Sequence, residues 1–381
     1  MKIAINPARL GKLLAPAAEL ANHAGTKVPS LTMIHGIPAE GHMVFTGGDG
    51  ERSVRTRLIA SIEGDPVQIN LPPGEVMRAL AALGEEAATF EVSGPEERVI
   101  IKSKTARFSF RQSVVEPPPM DHWNADEVVT VPAKSLQAAV KKVAPVVDKA
   151  IPTGGVGRDN CMYIQVRDGK VSCFAASAGL FVLVSFSAVS TEPVNYAVTP
   201  RDIALMQGVV DEGNVTICGI KGLVISGERH TARLATPVIG IPDPNLVLQK
   251  FDPDGFATFR KIDVEAALSR AAVYGVGNYK KDDRRPILIV FEEGSNTSAA
   301  FSTLQYSTGQ YTGSVPCEWS GTLKAFNLDQ NKLKIALAAI DGEIIEMRWM
   351  KDGDRVEIVG REEDGAQAVI WTADVKEVSA E

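Results

Sequence analysis

The sequence predicts an α+β protein of three tandem domains, and this prediction rests on an internal repeat. A β-prone run followed by a helix with proline or aspartate at its start recurs six times in 381 residues, at intervals of 60 to 68 residues. The starts are Pro7, Pro72, Pro132, Pro200, Asp263 and Asp329. The odd copies carry longer helices than the even copies, so the true repeat is a pair of units. Three pairs predict domains at residues 1–124, 125–249 and 250–381.

The fourth unit shows the local pattern most clearly. Residues 195–198 form a short β-prone run, and Pro200 suits a first helical turn, where its missing N–H would have no partner. Apolar residues then recur at helical spacing at Ile203, Met206 and Val210. Residues 215–218 follow as a second strand. The unit therefore reads as strand, helix, turn and strand.

The same reading places the remaining elements in order. In the first domain we expect helices over residues 8–22 and 73–83, and strands over residues 31–35, 42–46, 53–61, 89–93, 98–103 and 106–111. The second domain is predicted to have helices over residues 133–147 and 200–210, and the third over residues 262–276 and 328–340. A proline-rich run at residues 116–119 predicts a stiff spacer at the end of the first domain.

The predicted helices are more basic than the rest of the chain. They carry ten Lys or Arg and six Asp or Glu, whereas the whole chain has a net charge of −7. Positive helices on an acidic protein indicate one basic surface, which is typical of a site for a polyanion. The hydrophobic content of 45% and charged content of 23% are those of a globular protein rather than a disordered one.

Cysteine spacing and hydropathy bear on the compartment. The four cysteines have no CxxC spacing and lie in apolar, strand-like runs, so we expect reduced core residues of a cytoplasmic protein. They are Cys161, Cys173, Cys218 and Cys317. The sequence has no run of about 18 apolar residues and no apolar leader. We therefore expect a protein that neither crosses a membrane nor is secreted.

Motifs of catalysis are missing from the sequence. The five histidines are scattered, with no HExxH and no pair at i, i+4, and there is no GxSxG motif. The glycine-rich run at residues 153–158 lacks the Lys-Ser/Thr of a phosphate-binding loop. We therefore expect no enzymatic activity, no bound metal and no cofactor.

Several segments, taken in order, resemble the bacterial DNA polymerase III beta subunit, the sliding clamp family. They are MKIAINPARLGKLLAPAAELA at residues 1–21, VPSL at 28–31, TGGD at 46–49, ARFSF at 106–110, VTPR at 198–201 and FNL at 326–328. The resemblance covers the full length. It implies three clamp domains in a head-to-tail homodimer, a closed ring with helices inside and sheets outside. It also implies a processivity factor of DNA replication, which tethers DNA polymerase and clamp loader through short peptide motifs.

The resemblance implies two further sets of site residues. Duplex DNA would be held through its phosphates, without sequence specificity, by a set of basic residues. These are Lys12, Lys27, Lys141, Lys149, Arg158, Arg201, Lys280 and Lys281. Partner peptides would bind in a cleft between the second and third domains. Its residues are Ser177, Gly179, Leu180, Phe181, Val182, Pro242, Val247, Val369, Ile370 and Trp371.

The sequence departs from the family at two of these places. The Asp-Gly-His-Arg turn of the family cleft is replaced here by SAGLFV at residues 177–182, so an altered choice of partner is expected. The seam of the dimer is expected at Arg107, Phe108, Val273 and Tyr274. The family strand opposite that seam usually carries several Glu, whereas residues 300–309 carry none. An alternative is therefore a monomeric, clamp-like scaffold without ring closure, and a more remote one is a hydrolase with a loop-built site.

Overall fold

The computed structural model describes most of the chain, with gaps. The described residues are 1–23, 28–93, 98–112, 115–117, 127–148, 156–189, 192–210, 212–219, 222–237, 239–248, 252–274, 285–291, 296–303, 309–322, 325–350, 354–360 and 366–371. The chain divides into two compact units. Unit 1 comprises Met1–Gln137, Val189–Glu192 and Arg201–Thr236, and unit 2 comprises Ala138–Ala188, Pro193–Pro200 and Pro237–Glu381. The predicted domain boundaries near residues 124 and 249 fall outside the described residues and stay predictions.

The helices lie where the repeat predicts them. They are α1 (Pro7–Asn22), α2 (Pro73–Leu83), α3 (Ala133–Val143), α4 (Pro200–Val209), α5 (Pro244–Leu248), α6 (Lys261–Ala271) and α7 (Gln330–Ala339). All six predicted helices are confirmed, and the short α5 was not predicted. Helix α3 ends before the predicted residue 147 because Pro145 has no N–H to continue it, and residues 144–146 form a 3-10 turn.

Unit 1 contains two antiparallel sheets. Its first nine strands are β1 (Lys2–Ile5), β2 (Ile34–Ala39), β3 (His42–Gly48), β4 (Ser53–Ile59), β5 (Ile62–Glu63), β6 (Ile69–Leu71), β7 (Ala88–Ser93), β8 (Arg98–Lys102) and β9 (Arg107–Arg111). Strand β10 is Glu127–Pro132, and strands β15, β16 and β17 are Asn214–Cys218, Val224–Ser226 and His230–Arg233. The five-stranded sheet has the order β5-β1-β7-β8-β9, and the eight-stranded sheet has the order β10-β15-β16-β17-β4-β3-β2-β6.

Unit 2 contains one long antiparallel sheet of twelve strands. Four of them come from the middle of the chain: β11 (Met162–Arg167), β12 (Lys170–Ser177), β13 (Leu180–Ser187) and β14 (Val194–Val198). The others are β18 (Gly255–Arg260), β19 (Pro286–Phe291), β20 (Ser298–Thr303), β21 (Thr312–Ser320), β22 (Ala325–Asp329), β23 (Ile344–Trp349), β24 (Arg355–Gly360) and β25 (Ala366–Trp371). Their order is β14-β11-β12-β13-β25-β24-β23-β18-β21-β20-β19-β22.

Helix α1 illustrates how a unit forms. Asn6 caps the helix because its Oδ1 accepts from the Arg9 N–H at 2.8 Å, and Pro7 occupies the first turn. The apolar face, which includes Leu10, Leu13 and Leu14, is buried. This face packs on β3 and β4, and burying each leucine contributes about 1.5–3 kcal/mol. One face of the helix is thereby fixed to the sheet, and the polar face stays open.

One predicted strand begins later than expected. We predicted a strand over residues 31–35, but Pro29–Thr32 forms a 3-10 turn and β2 begins at Ile34. The Thr32 hydroxyl donates to the Pro29 carbonyl at 2.8 Å, and the fixed φ of proline favours such a turn. Local side-chain bonding thus overrides the β-propensity of this apolar stretch.

Candidate functional site

The open faces of the six long helices are basic, as the sequence predicts. Their exposed charged residues are seven Lys or Arg and three Glu. Helix α3 is the clearest case, because Leu136, Val140 and Val143 are buried whereas Lys134 and Lys141 are exposed. The helices therefore bury an apolar stripe and together offer a mostly positive surface to solvent.

The predicted DNA-contacting residues have different surroundings. Lys12 on α1 and Lys141 on α3 are exposed on open helix faces. Arg158 is exposed but lies off the long helices, and its Nη2 is 2.9 Å from where a Cβ of Gly240 would be. Four predicted residues lie outside the described part of the chain. They are Lys27, Lys149, Lys280 and Lys281.

Arg201, whose side chain is 38% exposed, reaches a buried ion network from the first turn of α4. Its Nη1 lies 3.1 Å from Asp49 Oδ2. Arg52 Nε donates to Asp202 Oδ1 at 2.7 Å, and the Asp202 side chain is fully buried. Asp49 holds the turn before β4 because its Oδ1 accepts from the Glu51 and Arg52 N–H groups. The TGGD segment therefore builds a structural network, in which much of the Arg201 charge is compensated.

An apolar surface lies on unit 2, above an aromatic core. The core contains Tyr163, Phe174 and Phe181. The ring centroid of Phe174 lies 5.2 Å from that of Tyr163 and 6.2 Å from that of Phe181. Half-buried apolar side chains pack over this core, and we call them the apolar surface. They are Val156, Ala176, Ile239, Ile241, Val247 and Leu248. Beside them, Leu246 of α5 is 58% exposed.

Half of the residues predicted for the peptide cleft are buried in unit 2. Five residues predicted to line it are buried, with at most 3% of each exposed, so they form core beneath the surface. They are Leu180, Phe181, Val182, Val369 and Ile370. The pairing of β13 with β25 explains this burial, because it matches Leu180 with Ile370 and Phe181 with Val369 inside the sheet. Their apolar side chains pack within the sheet, and their role in a peptide cleft stays a prediction.

The other predicted cleft residues lie nearer solvent. Ser177, Gly179, Pro242 and Val247 are half-buried, and the Trp371 side chain lies outside the described part of the structure. Sequence reasoning missed Ile239 and Ile241 of the apolar surface, although their position in the proline-flanked run at residues 237–242 was a usable signal.

The turn that replaces the family Asp-Gly-His-Arg segment is strained. Ala178 and Gly179 connect β12 to β13 with φ of 47° and 78°. The neighbouring hairpin, between β11 and β12, uses Asp168 and Gly169 at φ of 53° and 72°. Aspartate and asparagine tolerate this left-handed backbone better than alanine does. The substitution therefore changes the polarity and raises the local strain of this turn.

The residues predicted for the dimer seam lie at open edges. Strand β9 is the last strand of its sheet among the described residues, with Arg107 exposed and Phe108 half-buried. Val273, just after α6, is 69% exposed, and the Tyr274 ring lies against Gly309. In unit 2, residues 312–316 of β21 pair with β20 alone, because β18 takes up residues 317–320. Two strand edges thus carry backbone groups able to pair with another chain.

The edge at β9 is positively charged. The register matches Arg98 with Arg111 and Lys102 with Arg107, and all four side chains are exposed on one face. Like charges directly opposite each other destabilise a strand pair. The described residues of β20 and residues 312–316 of β21 carry no acidic side chain to complement them.

The titratable core groups fit a packing role. Burial raises the pKa of the Cys173 thiol to about 12 and that of Cys317 to about 11, and all four cysteines are buried and free, as predicted. Burial likewise raises the pKa of Tyr163 to about 12, and its hydroxyl donates to the Arg158 carbonyl at 3.1 Å. Among the described residues, no three His, Cys, Asp or Glu side chains are grouped as metal ligands would be.

The described helices differ from membrane spans in length and hydropathy. None of them is both long enough and apolar enough to span a bilayer.

The sequence matches no protein-family model and no curated protein. The fold, in contrast, matches solved sliding clamps over nearly the whole chain. The DNA polymerase III beta subunit of Thermotoga maritima aligns with 14% identity and a TM-score of 0.83, covering 98% of this chain and 99% of the other. The Pseudomonas aeruginosa sliding clamp bound to griselimycin aligns with 16% identity and a TM-score of 0.84, with the same coverage. The Bacillus subtilis sliding clamp aligns with 14% identity and a TM-score of 0.82, again with the same coverage.

These matches establish that the chain has the clamp fold. The predicted α+β class and the predicted similarity to bacterial sliding clamps are thereby confirmed at the level of fold.

Proposed function

We propose that this protein is a DNA sliding clamp, a non-catalytic processivity factor that encircles duplex DNA as a homodimeric ring. The observation that carries the proposal is the clamp fold over 98% of the chain, together with the basic open faces of its helices. A ring holds DNA topologically and needs no base readout. A set of exposed lysines, such as Lys12, Lys134 and Lys141, supplies mobile phosphate contacts of the required kind.

Ring closure is proposed to join the open edge of β9 in one copy to residues 312–316 of β21 in the other. Such pairing would satisfy backbone groups of both edges and would cover Phe108 and the exposed Val273. Because the β21 edge carries no acidic residue, this seam depends on backbone hydrogen bonds and apolar contact. We expect its strength not to fall with salt, because residues 312–316 of β21 offer no acidic partner for an ion pair across the seam.

The apolar surface of unit 2 is proposed to tether partners such as DNA polymerase and clamp loader. A short apolar peptide could pack on Val247, Ile239 and Ile241 above the aromatic core. Phe181 is buried and the turn at Ala178 carries no charged side chain. We therefore expect this surface to be shallow and apolar. We therefore propose a partner motif dominated by apolar side chains, for a protein working in the cytoplasm.

The first test is the mass of the protein in solution, followed by loading on DNA. Light scattering over a dilution series should give a persistent dimer, and the dimer should remain on nicked circular DNA but leave after the circle is cut. A stable monomer at all concentrations would contradict ring closure and favour the monomeric clamp-like scaffold. The like-charged pairs that join β8 and β9 are the observation that favours this second candidate.

The electrostatic part has its own test on short linear duplex. Lys134→Ala with Lys141→Ala should lower the slope of log K against log salt by up to about 2, since each phosphate contact contributes about 0.9. Lys104→Ala with Lys170→Ala is the matched control, because it also removes two charges, from lysines exposed at the β8–β9 and β11–β12 hairpins and not on helices. An equal change in both variants, or binding that salt does not weaken, would contradict the proposed DNA-facing surface.

A further inference from the structure

An arginine-rich stripe lies on one face of the eight-stranded sheet, across strands β4 and β17. The register pairs Arg55 with Thr231 and Ser53 with Arg233, so these side chains share a face. Arg57 lies two residues beyond Arg55 on β4 and therefore points to the same side. We call Arg55, Arg57 and Arg233 the arginine stripe.

The stripe faces away from the helices. Gly47 pairs with Val54, and a Cβ atom on Gly47 would lie 2.5 Å from the Ala17 carbonyl oxygen of α1. The face that carries Val54 is therefore the helix side of the sheet. Side chains alternate along a strand, so Arg55 and Arg57 lie on the other side, where both are exposed. The stripe is thus separate from the helix faces proposed to contact DNA.

The charge of the stripe has no partner within the described residues. None of its three guanidinium groups forms an ion pair or a side-chain hydrogen bond there. Along the paired strands, the nearest carboxylate on this face is Glu127, three strands from Arg233 and hence about 14 Å away. Glu127 already accepts from the Thr130 hydroxyl.

A fourth arginine adjoins the stripe at the turn before β17. The carbonyl of Arg229 accepts from the Arg57 N–H at 2.8 Å, which places two arginines opposite each other. Of the neighbouring acidic groups, Glu51 pairs with Arg52, and Glu228 Oε1 lies on the Gly213 side, 2.8 Å from where a Cβ of Gly213 would be. Like charges in opposite positions destabilise a sheet. This sheet has such opposing arginines although the whole chain has a net charge of −7, so it presents a local cluster of positive charge.

The geometry favours an extended acidic peptide as the ligand. Arg55 and Arg57 are two residues apart on one strand, so their Cα atoms are about 7 Å apart. Alternate side chains of an extended peptide have the same spacing. Guanidinium groups bind carboxylates bidentately. Ile59, the next residue on this face, is 82% exposed and offers an apolar contact. The exposed positions of β4 and β17 carry no aromatic ring on which bases could stack.

We propose that the arginine stripe binds an extended acidic segment of a partner protein, with carboxylates at alternate positions and an apolar residue beside Ile59. This site gives the protein a second docking surface, on the sheet side, that functions without DNA in place. It goes beyond the proposed clamp function and does not depend on ring closure.

The test measures fluorescence anisotropy of a labelled ten-residue peptide of alternating Glu and Ser, with a Leu at either end, added to the full-length protein. Arg55→Ser with Arg57→Ser should weaken binding at least tenfold, and Arg55→Lys with Arg57→Lys should weaken it less. The matched control is Arg9→Ser with Arg270→Ser, which removes the same charge from exposed helix positions and should change peptide binding less than twofold. Circular dichroism checks that each variant stays folded.

Three results would overturn the proposal. The first is equal binding of a peptide in which Gln replaces every Glu, and the second is equal weakening by the control variant. The third is tighter binding of a ten-nucleotide oligothymidylate than of the peptide, with displacement of the peptide. That result would assign the stripe to a nucleic acid strand. Loss of duplex DNA binding in the helix variants alone leaves the peptide result intact, so failure of the clamp function and failure of this site are distinguishable.

Discussion

Replacing Asp202 by Asn removes a single charge, yet it should destabilise unit 1 severely. Asp202 is fully buried, it lies 2.7 Å from Arg52 Nε, and Arg52 is only 9% exposed. Removing one partner of a buried ion pair typically costs about 3–5 kcal/mol, because the other charge stays buried. Here Asp49 and Glu51 remain within 3.3 Å of Arg52 Nη1, so we expect the lower end, about 3 kcal/mol.

Urea unfolding followed by circular dichroism measures this loss. A loss of about 3 kcal/mol lowers the midpoint by about 1–3 M, for a denaturant slope of about 1–3 kcal/mol per M. Hydrogen exchange should show lost protection at the β3–β4 turn and the start of α4, and not in unit 2. Arg52→Met with Asp202→Asn should recover much of the loss, because no unpaired charge stays buried.

The control for this prediction is Glu75→Gln. Glu75 and Arg78 form an exposed pair at 3.9 Å, with side chains 56% and 78% exposed, so its loss should cost less than about 1 kcal/mol. If Asp202→Asn were as mild as this control, the reasoning that the buried network stabilises unit 1 would be refuted.

Three further changes should alter stability in stated directions. Gly255→Ala should cost about 1–3 kcal/mol in urea unfolding, since its Cβ would lie 2.5 Å from the Trp349 ring, and an unchanged midpoint would contradict that close packing. Ala178→Asn should stabilise the protein by about 1 kcal/mol, because asparagine tolerates a φ of 47°, and a lower midpoint would argue against strain there. Burial raises the pKa of Cys173 from 9.0 to about 12, so the unfolded chain loses the thiol proton first as pH rises. Stability should therefore fall by up to about 1.4 kcal/mol per pH unit across that window, and less steeply in Cys173→Ala, as measured by unfolding at pH 8 to 11.

Much of the fold could be predicted from the sequence because its signals are local and repeated. Proline or aspartate at the helix start, apolar residues at period 3.6 and β-prone runs recur six times, and each helix formed within about five residues of its predicted bounds. The deviations occurred where one side chain decided a boundary. Pro145 ended α3 early, and Thr32 turned a predicted strand into a 3-10 turn.

The candidate sites were less predictable, because burial depends on pairing between distant strands. Phe181 and Val369 have the composition of a cleft lining, yet β13 and β25 place them opposite each other in the core. Arg201 is basic and begins a helix, yet Asp49, 152 residues earlier, lies within 3.1 Å of it. The residues expected for the DNA contacts, the peptide cleft and the seam all stay predictions.

The sequence by itself determined the periodic architecture, the basic character of the helix faces and the reduced, apolar setting of the cysteines, since all three follow from composition and short-range spacing. The tertiary structure alone decided which charges are compensated and which are open. Arg52 and Arg55 are three residues apart on the chain, yet Arg52 is buried and pairs with three carboxylates, whereas Arg55 is exposed and pairs with none in the described part of the chain. That difference arises from strand register and from the side of the sheet that a helix covers, and neither is encoded within the span of a local motif.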